Sequence, residues 1–208
     1  MKSAQVLSLP LARPEISDRA DILAKIYEEH CNIAVWQREI SPAINEELAT
    51  LLARQHALEM REIVSPENAE AMLMRKSLGA KLSQDIAQLI DMFCCLFGLQ
   101  QAGMRLCVLD HAMCPRFHVD QVPCRLVHSY CGPGTEWIAD HKDLKAINAL
   151  TSDCSDNRNH DGNKIQQLNA GDVALLKGGS WEGSMIPALI HRSPKADEKR
   201  LLLTLDFA

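Results

Sequence analysis

No run of lysine and arginine occurs in this 208-residue chain, whose formal net charge is −5. Nucleic-acid binders carry a basic patch or stripe, so nucleic acid is not an expected partner. Long apolar runs are missing too. The most apolar window, Ile86–Leu99, is interrupted by Gln88, Asp91 and Gly98, whereas a membrane-spanning helix needs about 20 consecutive apolar residues. The first fourteen residues hold Pro10, Arg13 and Pro14 in place of the apolar centre of a signal peptide. These absences predict a cytoplasmic protein with no membrane association. Eight cysteines contain no CxxC pair; Cys107, Cys114, Cys124 and Cys131 are separated by gaps of six, nine and six residues, which argues against a structural zinc knuckle. In a reducing compartment the thiols read as small hydrophobes, metal ligands or redox groups, and Cys94 and Cys95 are expected in the core. Internal repeats and low-complexity segments are also missing, so residues 1–208 are read as one domain.

Apolar residues make up 47% of the chain and charged ones 24%, ordinary values for a globular protein. Residues 1–14 read as an irregular arm. Ile16, Ala20, Leu23, Ile26 and Tyr27 recur at helical spacing from Ser17 to about His30, and Asn32–Trp36 reads as a buried strand. Ser41-Pro42 and Ser65-Pro66 each place an N-cap hydroxyl before a proline at the first helical position. The first of these helices carries an apolar face through Leu58, and Gly79 is expected to stop the second. From Ser83, Ile86, Leu89, Ile90, Phe93 and Phe97 form a third apolar stripe, closed by Gly98. Three consecutive helices are therefore expected across residues 42–98.

The pattern changes after Gly103. Short strands are expected at Met104–Leu109, Phe117–Val119, Arg125–Tyr130, Thr135–Ile138, Val173–Leu176, Ala188–His191 and Arg200–Phe207. A polar loop covers 151–163 and a polar hairpin 193–198. Residues 1–103 are thus mainly helical, and residues 104–208 form a small sandwich or barrel.

The chemistry centres on His118-Val119-Asp120. On an extended strand the two outer side chains share one face, and an imidazole with a carboxylate is a ready pair of metal ligands. His191 in ALIHRSP supplies a third. Two histidines and one carboxylate form a facial triad that leaves positions open for substrate or oxygen. The other histidines are weaker candidates: His111, His141 and His160 sit in polar surroundings and read as solvated. Arg125 and His128 point to opposite faces of their strand, so only one can line a cavity, and Tyr130 shares the parity of His128. Cys114 is near enough in sequence to His118 to contact a metal, although a core thiol is the commoner outcome. Glu136 and Trp137 follow the Gly-Pro-Gly turn, where they would close the mouth of the site, although packing is the commoner role for Trp137. Met60, Met72, Met74 and Met104 read as core filler, and Gly178-Gly179 lacks the strand–helix setting of a phosphate loop.

HxD on an early strand, the AGDVALL turn and strand, the late histidine and Arg200 together resemble the double-stranded β-helix of the cupin and Fe(II)/2-oxoglutarate oxygenase superfamily. The resemblance covers residues 104–208. More narrowly, CPRFHVD, RLVHSYCGPGTEW and HRSP resemble an uncharacterised bacterial family, domain of unknown function 1826, whose members tend to lie among zinc-responsive genes. The resemblance implies an α+β fold, with a cupin-like jelly-roll core and an N-terminal helical layer packed outside it. It implies His118, Asp120 and His191 as ligands to Fe(II) or Zn(II). Arg200 would then hold the far carboxylate of 2-oxoglutarate, with Arg125 and Thr204 beside it; Leu202 departs from the Ser or Thr common two residues after that arginine. Alternation along 200–205 directs Arg200, Leu202 and Thr204 inward and Leu201, Leu203 and Leu205 toward the helices. Two functions follow from the resemblance. One is an oxygenase acting on a small-molecule or other unknown substrate, and the other a non-catalytic metal-binding cupin in zinc handling or sensing.

Overall fold

A computed structural model describes residues 11–54, 58–139, 165–195 and 198–208. Ten strands and three α-helices follow in the order β1 (Glu15–Ser17), β2 (Ile33–Trp36), α1 (Pro42–Arg54), β3 (Glu59–Val64), α2 (Pro66–Arg75), α3 (Ala80–Phe97), β4 (Ala102–Leu109), β5 (Cys124–Cys131), β6 (Glu136–Ile138), β7 (Ile165–Gln167), β8 (Val173–Lys177), β9 (His191–Arg192) and β10 (Arg200–Phe207). A 3-10 helix, Ala20–Tyr27, joins β1 to β2. The strands form a seven-stranded sheet, ordered β1-β2-β8-β5-β10-β4-β3, and a three-stranded sheet, β7-β6-β9. The 151–163 loop, His141, His160 and Cys154 lie outside the described residues, as do residues 1–10 of the N-terminal arm and residues 196–197 of the last hairpin.

Two expectations about the first hundred residues are corrected. Residues 42–98 are not three consecutive helices, because β3 intervenes and pairs antiparallel with β4. Met60 and Val64 are buried against the helices while Glu59, Arg61 and Ile63 point the other way, which is the two-residue period of a strand. Nor is Ser17–His30 one amphipathic helix. Glu15–Ser17 pairs parallel with Ala34–Trp36, and the helical turns that follow are 3-10. Strands β1, β2 and β3 thus make the N-terminal half part of the large sheet, and Gly103 falls inside β4 rather than at a boundary.

The large sheet has two faces of different character. Leu201, Leu203 and Leu205 of β10, Leu126 and Tyr130 of β5, and Met104 and Leu106 of β4 join Ile86, Leu89, Ile90 and Phe93 of α3 in the main core. The opposite face of β5 and β8, through Val127, Ala174 and Leu176, packs on Trp137 and Leu168 beside the small sheet. The two sheets therefore enclose an interior of their own, separate from the helix-backed core.

Charged side chains fasten the helices to this frame. Glu47 of α1 accepts hydrogen bonds from the backbone N–H groups of Lys81 (3.1 Å) and Leu82 (2.8 Å), two donors at the start of α3 that have no partner within their own helix. Gly79, expected as a stop, is instead the residue before α3. Behind the sheet Arg38 binds Asp85 through two bonds of 2.7 Å, and Tyr130 Oη donates to the same carboxylate at 2.7 Å. Cys94 is buried as expected, whereas Cys95 and Met74 lie on the surface.

Candidate metal centre

His118 and His191 face each other across an isolated antiparallel bridge. His118 N–H donates to the His191 carbonyl and His191 N–H to the His118 carbonyl, both at 3.0 Å. Residues 117–119 form this single bridge and not the short strand expected there. The bridge is still sufficient to hold the imidazole centroids 4.6 Å apart. Phe117, packed with Ile138 and Ile190, anchors the segment from the opposite side.

Each imidazole is oriented by its Nδ1. The His118 Nδ1 lies 2.9 Å from the Arg116 carbonyl and the His191 Nδ1 3.4 Å from that of Leu189. A carbonyl only accepts, so Nδ1 carries a proton, and in the neutral ring Nε2 is the atom that presents a lone pair. Both Nε2 atoms aim at Asp120, at 3.7 Å from Oδ1 for His118 and 3.3 Å from Oδ2 for His191. One ligand atom from each of the three residues lies within 4.8 Å of the other two. Asp120 Oδ2 is buried and accepts no hydrogen bond from the described residues, and a buried, unpaired carboxylate oxygen is costly. A cation within about 2.0–2.2 Å of all three residues would remove that cost, since ligands at such distances stand roughly 3.0–3.4 Å from one another. The donor set and its spacing fit a divalent metal.

Asp120 is positioned by its surroundings. Burial pushes its carboxyl up, but His191 and His118 in their protonated forms, together with Arg125, outweigh that and hold it below the usual carboxylate range. Arg125 Nη1 donates to Asp120 Oδ1 at 2.9 Å, while its Nε and Nη2 grip Asp206 at 2.8 Å each. The Arg125 fork is thus engaged by two carboxylates, an arrangement that sequence spacing did not reveal. Gly178-Gly179 also acts here. Gly179 N–H donates to the Asp120 carbonyl and Gly178 N–H to that of Pro123, both at 2.8 Å. A Cβ on Gly178 would collide with the Val122 carbonyl, so the glycine pair clamps the turn that carries the carboxylate.

Arg200 lies on the same side. It is buried, with Nε donating to Ser129 Oγ at 2.9 Å and Nη2 to Thr135 Oγ1 at 3.0 Å. No carboxylate among the described residues pairs with it, and burial pulls its guanidinium down to about 10. A one-residue register shift between β5 and β10 sets Ser129 opposite Leu202. Gly132, at φ +74°, allows the end of β5 to press on Lys199 and Arg200. Arg200, His118, His191, Arg125, Thr204 and Cys114 line one cleft of about 40 Å3. Its walls at Met113, Arg125 and Thr204 continue into a wider groove of about 620 Å3.

The remaining candidates are elsewhere. His128 and Tyr130 face the helices; the His128 Nδ1 is 2.9 Å from the Asp172 carbonyl, Arg38 Nη2 is 3.2 Å from its Nε2, and burial lowers this imidazole to about 3. Trp137 is buried as packing, Glu136 binds Arg192 at 2.6 Å, and His111 is exposed beside Asp110. Cys114 is exposed and belongs to the cleft wall, not to the His–Asp–His cluster.

Two packed sheets with this cluster between them define a known class of fold. Over 94% of its length the chain is similar to the dioxygenase for auxin oxidation from rice, covering 82% of that chain at 11% identity with a TM-score of 0.53. Similarity to dioxygenase for auxin oxidation 1 from Arabidopsis thaliana, solved as its 2-oxoglutarate binary complex, covers 95% of this chain and 92% of that one at 10% identity and a TM-score of 0.51. A prolyl-4-hydroxylase from Pseudomonas putida matches over 90% of this chain and 97% of its own at 13% identity and a TM-score of 0.50. Identities this low establish the shared jelly-roll fold and nothing of the activity. No curated protein matches the chain in sequence. The chain belongs to the family described as protein of unknown function (DUF1826), whose pattern matches residues 17–206. Among the described residues no helix is long and apolar enough to cross a membrane.

Proposed function

We propose that the protein is an Fe(II)- and 2-oxoglutarate-dependent oxygenase. The observation that carries this reading is Arg200, a buried guanidinium in the cleft lined by His118 and His191 that has no carboxylate partner among the described residues. A fold keeps an uncompensated internal charge at a cost, and the cost is offset when an anionic ligand arrives. In this role His118, Asp120 and His191 hold the metal, and Arg200 receives the distal carboxylate of the keto acid. A guanidinium suits that task because it donates parallel hydrogen bonds to a carboxylate. Ser129 and Thr135 fix the plane of the fork, and Thr204 lines the path between anchor and metal.

When bound, ferrous iron would couple oxidative decarboxylation of 2-oxoglutarate to oxidation of a substrate C–H bond, one oxygen atom entering succinate and the other the product. The protein's own part is positioning. Arg125 holds Asp120 ionised and oriented, the backbone carbonyls of Arg116 and Leu189 orient both rings with Nε2 toward Asp120, and the interior around Val127 and Trp137 keeps water from one wall. At about 40 Å3 the cleft holds little more than a water molecule. Entry of a five-carbon diacid therefore requires Met113 to turn aside or the ligand to extend into the adjoining groove.

Metal analysis after purification without chelators, followed by oxygen-dependent release of succinate from 2-oxoglutarate, tests the reading. One divalent metal per chain and succinate formation, both abolished in His191→Ala, are the expected results. A metal without any succinate or 2-oxoglutarate binding would leave a metal-binding cupin and sink the oxygenase.

A further inference from the structure

The groove beside the metal cleft carries a feature of its own. Its floor is the inner face of β3, β4 and β10, where Arg61 pairs directly with Arg105 and Arg105 with Thr204. Two guanidinium groups side by side on a sheet repel one another. A single carboxylate answers both: Arg61 Nε and Arg105 Nη2 each donate to the same Glu59 oxygen at 2.9 Å. Arg105 Nε is buried and has no hydrogen-bond partner among the described residues. Glu62 pairs with Lys76, and Asp206 shares Arg125 with Asp120. Among the described residues Glu59 is thus the carboxylate bound to Arg61 and Arg105, two guanidinium groups against one carboxylate.

Glu59 is also poorly retained. It sits on the edge strand with about half of its side chain (53%) open to solvent, and an exposed ion pair of this kind holds its partners weakly. A carboxylate already rests between the two arginines, so the spacing suits that group, and the buried Nε–H has a donor to spare. We propose that Arg61 and Arg105 bind a carboxylate of the substrate in this groove, with Glu59 as the internal group it displaces. The groove shares Met113, Arg125 and Thr204 with the metal cleft, so the rest of the molecule lies toward His118 and His191. Calling this ligand the substrate rests on the oxygenase reading; carboxylate binding at Arg61 and Arg105 does not.

The test titrates benzoate, benzamide and phenyl phosphate into the full 15N-labelled chain and follows the arginine Nε–H signals. Benzoate moves the Arg61 and Arg105 signals saturably and leaves that of Arg200 in place. Arg105→Gln, and separately the solvent-facing Arg61→Gln, weaken benzoate by about tenfold or more, the scale of a lost charge-assisted bond. Glu59→Gln tightens it by removing the competitor. A separate titration with 2-oxoglutarate on the metal-loaded protein reads the Arg200 site and is unchanged in Arg105→Gln. Loss of that second signal in the wild type sinks the oxygenase while benzoate binding still stands. Unmoved Arg61 and Arg105 signals, equal binding of benzamide, tighter binding of phenyl phosphate, or weaker benzoate binding in Glu59→Gln would each overturn the proposal.

Discussion

Replacing Arg200 with methionine separates what this residue does for stability from what it does for binding. Methionine fills a similar length of space without charge. In the folded protein burial lowers the guanidinium well below its ordinary value, to about 10, which corresponds to roughly 3 kcal/mol against the charged form. Against that relief stands the loss of two hydrogen bonds, to Ser129 and Thr135, at about 1 kcal/mol each. The metal-free variant should therefore be as stable as the wild type or about 1 kcal/mol more stable. Binding moves the other way. Removing one partner of a buried, hydrogen-bonded charge pair costs about 2–5 kcal/mol, so 2-oxoglutarate affinity should fall by about 30-fold or more. Urea unfolding of the metal-free proteins gives the first quantity, and calorimetry on the Mn(II)-loaded proteins the second. A variant destabilised by more than about 3 kcal/mol, the scale of a broken buried ion pair, with 2-oxoglutarate binding intact, would refute the reasoning and make Arg200 a structural residue.

Gly178→Ala forces the Asp120–Val122 turn to move, because the new methyl meets the Val122 carbonyl. Metal affinity, measured with a competing chelator, should fall about 10- to 100-fold, as for other groups that orient a ligand. Asp120→Asn should reduce metal content from one per chain to none by elemental analysis, even though its amide would occupy nearly the same space. His128 gives a pH signature. Its folded value, about 3, is below the free value of 6.5, so its contribution to stability is complete above pH 6.5 and is lost as the pH falls toward 3. Over that window the wild type should lose up to about 1.4 kcal/mol per pH unit on account of this group. His128→Asn should show a shallower dependence in urea unfolding, and an unchanged slope would contradict the assignment.

The parts of the fold that could be read from sequence were those set by local period. The stripe from Ile86 to Phe97 and the alternation in Arg200–Phe207 each record which face is buried, and the helices and β10 follow them. β3 escaped because Glu59–Val64 is short, exposes Ile63, and sits between two strong helical signals. The 3-10 helix has too few turns to separate its period from that of an α-helix. At the site, the meeting of His118, Asp120 and His191 was expected from the chain order of the motif residues and the resemblance they carry, although residues 117–119 form a single bridge and not the alternating strand expected there. What holds them was not. The Nδ1 contacts to Arg116 and Leu189 are to backbone atoms, which carry no sequence mark. The grip of Arg125 on Asp206 spans 81 residues, and Gly178 matters through a contact with a carbonyl far away in the chain. The unshared oxygen of Asp120 and the uncompensated charge of Arg200 appear only once burial is known.

The most direct measurement is an anaerobic calorimetric titration of 2-oxoglutarate into metal-free and Fe(II)-loaded protein. The account predicts one 2-oxoglutarate per chain, binding tightly only when the metal is present and only while His118, Asp120, His191 and Arg200 are intact. Binding that ignores the metal, or none at all to the iron-loaded chain, would contradict it.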